Sequence, residues 1–78
     1  MNPQLIDARY PINRIHHLAK RIGIVHDEPI GVAALVTVPR PPGRPTVNML
    51  APIVIGARSR VGVQVVLHGS RFGLRHAL

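Results

Sequence analysis

TVNMLAPIVIGARSRVGVQVVL, residues 46–67, is the segment of this sequence with the most regular apolar pattern. Ile53–Ile55 is a β-branched run. Four apolar residues then recur at every second position, the period of a strand with one buried face: Val61, Val63, Val65 and Leu67. Because Gly56–Arg60 has the length of a hairpin loop, the segment predicts two antiparallel strands joined by a turn.

Two residues interrupt the first half of this segment. Pro52 lacks an amide hydrogen and suits a sheet edge, a bulge or a strand start, so a bend or break is expected between Val47 and Ile55. An amide side chain within an apolar strand must find hydrogen-bond partners. Asn48 is therefore interpreted either as fixing the irregularity at Pro52 or as a partner contact. Gln64 is expected to face away from the valine stripe.

A helix is predicted to begin near Pro11 and to end at Gly23. Pro11 suits the first turn of a helix, and Gly23 suits the residue that terminates one. Apolar residues recur between them at spacings of three and four, which places them on one face: Ile12, Ile15, Leu18, Ala19 and Ile22. The polar residues Arg14, His17 and Arg21 point away from that face.

The rest of the chain predicts further strands and loops. Ile30–Val38 is almost wholly apolar and is expected to form a central strand covered on both faces. His26–Pro29 is expected to form a turn ahead of that strand. Prolines after it predict a stiff loop between strands: Pro39, Pro41, Pro42 and Pro45. Phe72 and Leu74 are expected to reach back to the core as a short edge strand.

Length and composition restrict the class of protein. Seventy-eight residues suit one domain, 1–78, with a thin core, since a chain of this size buries only about 60% of its unfolded surface. Self-association or pairing with another chain is the expected compensation. There is no Cys, which excludes disulfides and thiolate metal sites. No segment resembles a membrane helix or a signal peptide, so a cytoplasmic location and no membrane partner are expected.

The charge of the chain is one-sided. The formal net charge is +7, and all three carboxylate side chains precede Pro29, whereas six arginines follow it. This distribution favours an acidic partner, and a small basic domain with weak nucleic-acid association is the alternative function. A solvated basic surface without a ligand is the simpler interpretation. Only Tyr10 and Phe72 could stack on bases.

The sequence contains no recognisable catalytic or metal-binding set. Asp27 and Glu28 are adjacent, which does not suit a pair of carboxylates held across a cleft. None of the five histidines has the spacing that places two ligands on one helix face. His68 and Ser70 lack a third, orienting group. We therefore expect no enzyme activity, no cofactor and no metal.

The order of particular residues from Thr46 to His76 matches a known pattern. Residues 46–55 read Thr-Val-Asn-x-x-Ala-Pro-Ile-Val-Ile, and a strand with an Arg-x-Gly-x-Gln-x-x-Leu spacing follows at residues 60–67. The tail has an aromatic-x-x-Arg-His ending at residues 72–76. Together these matches resemble the C-terminal half of the flagellar assembly factor FliW family, and the resemblance extends over roughly residues 18–78.

This resemblance implies both a fold and a function. The implied fold is mainly β, a partial antiparallel β-barrel-like sheet with one N-terminal helix. The chain would be a single FliW-like domain without the family's N-terminal half, which leaves sheet edges for another chain. The implied function is to bind flagellin as a chaperone and to antagonise the translational regulator CsrA. We expect partner contact at Asn48, Arg58, Arg60, Gln64, Arg75 and His76.

Overall fold

The computed structural model describes residues 1–22 and 28–78. Their fold is mainly β, with an N-terminal helix, as the sequence predicts. After a short 3₁₀ helix at Pro3–Leu5 come α1 (Ile12–Arg21), β1 (Ile30–Ala33), β2 (Val36–Thr37), β3 (Thr46–Val47), β4 (Ile53–Gly56), β5 (Gly62–Gln64) and β6 (His76–Ala77). The strands form two antiparallel sheets, ordered β1-β4-β5 and β2-β3-β6, and the described part of the chain contains no closed barrel.

The helix α1 forms where the apolar spacing predicts it. Ile15 and Ala19 are fully buried, and Lys20 and Arg21 lie in the last turn, where the helix dipole favours positive charge. Ile22, predicted on the buried face, is 54% exposed because the helix ends at Arg21. The expected helix end at Gly23 and the start of the expected turn, His26 and Asp27, lie outside the described residues.

One long antiparallel ribbon joins the two sheets. β1 pairs with β4, with Ala33 opposite Ile53, and β2 pairs with β3, with Val36 opposite Val47. From Ala33 to Val36 the chain advances three residues, whereas on the opposite side, from Val47 to Ile53, it advances six. The three extra residues leave the ladder as a large bulge at Asn48–Pro52. We call this segment the bend, and it confirms the break predicted at Pro52.

The prediction of one central strand at Ile30–Val38 is wrong. β1 and β2 are separate strands, and each lies at the end of its sheet. The pairing stops between them because the partner strand carries the three extra residues of the bend. Val36 and Val38 are 38% and 75% exposed, so this end of the apolar run faces outward.

The hairpin predicted between residues 53 and 67 is present. β4 pairs with β5, with Ile55 opposite Gly62. The Gly56 amide donates to the Val61 carbonyl at 2.9 Å, so Gly56 belongs to the strand and not to the loop. Val61 is 49% exposed and does not join the inward stripe, because it lies in the turn. The inward-facing residues are Val63, Val65 and Leu67.

The core lies between α1, the bend and the β4–β5 hairpin. Its fully buried side chains include Ile15, Met49 and Leu67. Phe72 reaches this core as predicted, packing edge-on against Tyr10 with 4.9 Å between the ring centroids. The tail strand itself differs from the prediction. It is β6, two residues further on, and Leu74 is 58% exposed.

No helix within residues 1–22 and 28–78 has the length and apolar character needed to cross a membrane.

Candidate functional site

The amide side chains of Asn48 and Gln64 both form hydrogen bonds to the backbone of Ala51, in the bend. Asn48 Oδ1 accepts hydrogen bonds from the backbone amides of Leu50 (3.1 Å) and Ala51 (3.0 Å). Gln64 Nε2 donates to the Ala51 carbonyl at 3.0 Å. Both polar backbone groups of Ala51 are therefore satisfied by side chains, because the bend has left the strand ladder.

Other backbone groups of the bend are bonded by distant segments. The Tyr10 hydroxyl donates to the Met49 carbonyl at 2.7 Å, and the Met49 amide donates to the Gly73 carbonyl at 3.0 Å. Burial raises the pKa of Tyr10 to about 12, so its hydroxyl remains a donor well into the alkaline range. The amides of Leu67 and Val65 donate to the carbonyls of Leu50 and Pro52. The bend is thus fixed from the helix side, the hairpin side and the tail.

A groove crosses the outer face of the β2-β3-β6 sheet, next to the bend. Val47 of β3 is fully buried and faces the core. Because side chains alternate along a strand, its neighbours Thr46 and Asn48 face the opposite way, into the groove. The groove has a volume of about 560 Å³. Its other lining residues include Leu35, Thr37, Arg44, Leu74 and Arg75.

The groove is both apolar and positively charged. Leu35 and Leu74 are 54% and 58% exposed, and the side chains of Arg44 and Arg75 also line it. No carboxylate lines the groove within the described part of the chain. It can therefore offer apolar contact and two guanidinium groups to a ligand, without an internal acid that would neutralise them.

Asp7 carries both ion pairs found among the described residues. Its carboxylate contacts Arg71 at 2.7 Å and Arg9 at 3.4 Å. The hydrogen bond from the Arg9 backbone amide, followed by that from the Arg71 side chain, lowers the pKa of Asp7 to about 2. This cluster ties the segment before α1 to the tail and takes no part in the groove.

Arg58 and Arg60 lie in the β4–β5 turn, where Glu28 is bound. One oxygen of Glu28, Oε1, accepts from the amides of Arg58 (2.8 Å) and Ser59 (3.0 Å) and from the Ser59 hydroxyl (3.2 Å). Hydrogen bonding, chiefly from the Ser59 amide, lowers the pKa of Glu28. Arg60 adopts a left-handed φ of 57°. The turn is a second exposed basic region.

The six residues predicted to contact a partner therefore lie in four different places. Asn48 and Arg75 meet in the groove, Arg58 and Arg60 share the turn, and Gln64 supports the bend. His76 is exposed in β6 opposite Val47. The hydrogen bonds of Asn48 show a structural role, that of fixing the irregularity at Pro52. Gln64 also donates a hydrogen bond to the bend, which the strand period alone did not predict.

The sequence did not mark Leu35, Arg44 or Leu74 as partner-contact residues, although all three line the groove. Leu35 was assigned to a buried strand, and Leu74 was assigned to the core. Arg44 lies within the proline loop, between Gly43 and Pro45, and belongs to no motif. Because these residues come from three separate segments, only the pairing of β2, β3 and β6 brings them together. Within residues 1–22 and 28–78, no cluster of His, Asp and Glu could hold a metal ion.

Comparison with known proteins gives one consistent result. The family model described as FliW protein matches residues 1–78. A flagellar assembly factor FliW from Thermosipho africanus is 32% identical over 79 aligned residues, covering 100% of this chain and 54% of that protein. The Clostridium novyi and Bacillus subtilis proteins of the same name are 30% and 26% identical, and the chain covers 54% of each.

The structural comparison agrees with the sequence comparison. The crystal structure of a flagellar assembly factor FliW matches with a TM-score of 0.74 and 26% identity, covering 99% of this chain and 55% of that chain. The chain thus spans about half the length of the relatives it matches, in keeping with a resemblance to half of the family's fold. Because the family model covers the whole sequence, the chain belongs to the FliW family.

Proposed function

We propose that this chain acts in the cytoplasm as a flagellar assembly factor. It would bind flagellin as a chaperone, and it would bind and antagonise the translational regulator CsrA. The observation that carries this proposal is the family match over residues 1–78, together with a fold similarity that covers 99% of the chain. The role requires binding and no bond chemistry, so the chain would work without catalysis.

The partner contacts are proposed to lie on exposed basic residues. Arg75 in the groove, Arg58 and Arg60 in the turn, and His76 in β6 all carry exposed side chains that a partner can reach. Asn48 lies beside Arg75 in the groove, while Gln64 acts indirectly by holding the bend.

The expected self-association stays part of the proposal. The sheets of the described residues are open and short, and β2 and β6 each have only two residues. Exposed strand edges of this kind are templates for pairing with another chain. A second copy, or another chain, would therefore cover these edges. Sizing of the free protein at several concentrations measures the self-association.

The test is a pull-down with purified flagellin and CsrA from the same organism. Both partners should be retained by the immobilised chain. Arg75→Gln and the double variant Arg58→Gln/Arg60→Gln should weaken retention, whereas Lys20→Gln, which removes a charge from α1, should not. Retention of neither partner by a chain that elutes as a folded monomer would overturn both the proposed function and the proposed assembly.

A further inference from the structure

The groove on the β2-β3-β6 sheet is organised in rows of side chains. Thr37 lies opposite Thr46, next to the proline loop that ends at Arg44 and Pro45. One row further on, the Asn48 amide donates to the Leu35 carbonyl at 2.9 Å. Polar and apolar groups thus share one surface, with Arg44 at the loop end.

Arg75 marks the other end of this surface. His76 lies opposite Val47, so the antiparallel register places Arg75 beside Asn48. Arg44 and Asn48 are four residues apart, which corresponds to about 13 Å along an extended chain. Arg44 therefore lies at the loop end of the groove, whereas Arg75 lies at the opposite end together with Leu35 and Leu74.

The charges around the groove favour an acidic ligand. The two described carboxylate side chains are both engaged elsewhere, Asp7 with Arg71 and Glu28 with the β4–β5 turn. Within the described residues, Arg44 and Arg75 form no ion pair. An incoming carboxylate would therefore meet two uncompensated positive charges.

A nucleic acid would also bring negative charge, but it needs a stacking surface that this face does not offer. The chain has one Tyr, one Phe and no Trp. Tyr10 is 3% exposed, and Phe72 packs against it with the Arg71 guanidinium 4.6 Å above its ring. Because single-stranded recognition relies on exposed aromatic rings, the exposed leucines favour a peptide.

We propose that this groove binds an extended acidic peptide segment of a partner protein. Two carboxylates, four residues apart, would meet Arg44 and Arg75, and an apolar side chain next to the second carboxylate on the same face of the peptide would cover Leu35 and Leu74. The proposal rests on the proposed function in that it takes the chain to be a protein-binding module. It names the chemistry of the bound segment and does not depend on the partner being flagellin.

The test is a heteronuclear NMR titration with synthetic peptides that repeat the motif Glu-Ser-Leu-Ser-Glu. In an extended peptide these three larger side chains share one face. Amide shifts should concentrate on the groove residues. Replacing both Glu by Gln, or the Leu by Ser, should weaken binding. Arg44→Gln/Arg75→Gln should raise the dissociation constant about tenfold, the effect of two ion pairs of modest strength.

The control removes the same charge elsewhere. Lys20→Gln/Arg21→Gln lies on α1 and should change the dissociation constant less than about twofold, since exposed charges act weakly at a distance. Equal weakening by both double variants, shifts spread over the whole surface, or no binding at low salt would overturn the proposal. Displacement of the peptide by a single-stranded oligonucleotide that binds more tightly would also overturn it. Peptide binding with no flagellin binding would overturn only the proposed function.

Discussion

The hydroxyl of Tyr10 donates a 2.7 Å hydrogen bond to the carbonyl oxygen of Met49, 39 residues away along the chain. Tyr10 is 3% exposed and Met49 is fully buried. The contact links the segment that leads into α1 to the bend that joins the two sheets. Because the bend also supplies Asn48 to the groove, this buried bond helps to fix the candidate site.

Tyr10→Phe is expected to lower the free energy of unfolding by about 1–2 kcal/mol. The ring would still pack against Phe72, but the buried Met49 carbonyl would lose its donor, and an unsatisfied buried acceptor costs roughly this amount. Urea denaturation followed by circular dichroism measures the change. An unchanged midpoint would show that another donor replaces the hydroxyl.

The same residue predicts a loss of stability at alkaline pH. Burial raises the pKa of Tyr10 from 10.0 to about 12. Because the protonated phenol is favoured in the fold, its contribution is complete below pH 10 and disappears as the pH rises to about 12. The chain has one Tyr, so phenolate absorbance reports this group alone. The native protein should lose stability over this range, and Tyr10→Phe should not show that loss.

The elements that the sequence predicts well depend on local chemistry. The spacing of Ile15 and Ala19 was sufficient for α1, and the alternation that ends at Leu67 was sufficient for the hairpin. The break at Pro52 follows from its missing amide hydrogen. Each of these signals lies within one short segment, so no knowledge of partner strands was needed.

The rest depends on pairing between distant segments. The apolar run Ile30–Val38 contains nothing that marks its division after Ala33, because the cause is the three extra residues on the opposite strand. The groove likewise combines Leu35, which precedes β2, with Leu74, which precedes β6, because β3 lies between those two strands. Periodicity within one segment cannot report such a register. Asn48 was identified because an amide in an apolar strand is conspicuous wherever it pairs.

Two hydrogen bonds that Asn48 Oδ1 accepts from backbone amides predict different effects for two substitutions of this residue. Asn48→Ala leaves the amides of Leu50 and Ala51 without their acceptor and should lower the free energy of unfolding by about 1–3 kcal/mol. Asn48→Asp keeps an acceptor and should be much less costly, because a carboxylate accepts strongly from backbone amides. Denaturant unfolding of both variants measures the difference. Equal costs would mean that these bonds do not hold the bend.

Asp7 predicts a loss of stability in acid. Its pKa is lowered from 3.8 to about 2, chiefly by the Arg9 backbone amide and then by the Arg71 side chain. A group with a lowered pKa in the fold stabilises it above the unfolded pKa, and this contribution disappears as the pH falls from about 4 to 2. Thermal unfolding across this range should show the loss.

The matched variant for Asp7 is Asp7→Asn, which should flatten the acid dependence over the same range. Because the side chain of Arg71 is 57% exposed and that of Asp7 is 18% exposed, salt should partly reduce the effect. Glu28 also has a lowered pKa and adds its own acid sensitivity, so some dependence should remain in the variant. An acid profile identical to that of the native protein would exclude a contribution from Asp7.

The last prediction concerns Gly56 and Glu28. A side chain at residue 56 would collide with the Glu28 carboxylate and the Ser59 hydroxyl. Gly56→Asn should therefore lower the denaturation midpoint in the native background, because it displaces Glu28 from the amides of Arg58 and Ser59. Glu28→Ala should lower the midpoint as well, since those amides lose their acceptor.

In the Glu28→Ala background, Gly56→Asn should shift the denaturation midpoint in the opposite direction. With Glu28→Ala in place, the carboxylate no longer obstructs the side chain introduced by Gly56→Asn, and the Ser59 hydroxyl can rotate away from it. The Asn side-chain oxygen can then accept from the amide two residues ahead, that of Arg58. Gly56→Asn should then raise the midpoint, and the double-mutant cycle should give a clear coupling. Glu28→Gln, which keeps an acceptor, is the control and should cost less than Glu28→Ala. If Gly56→Asn destabilises both backgrounds equally, the Glu28 carboxylate does not occupy the space that Gly56 leaves.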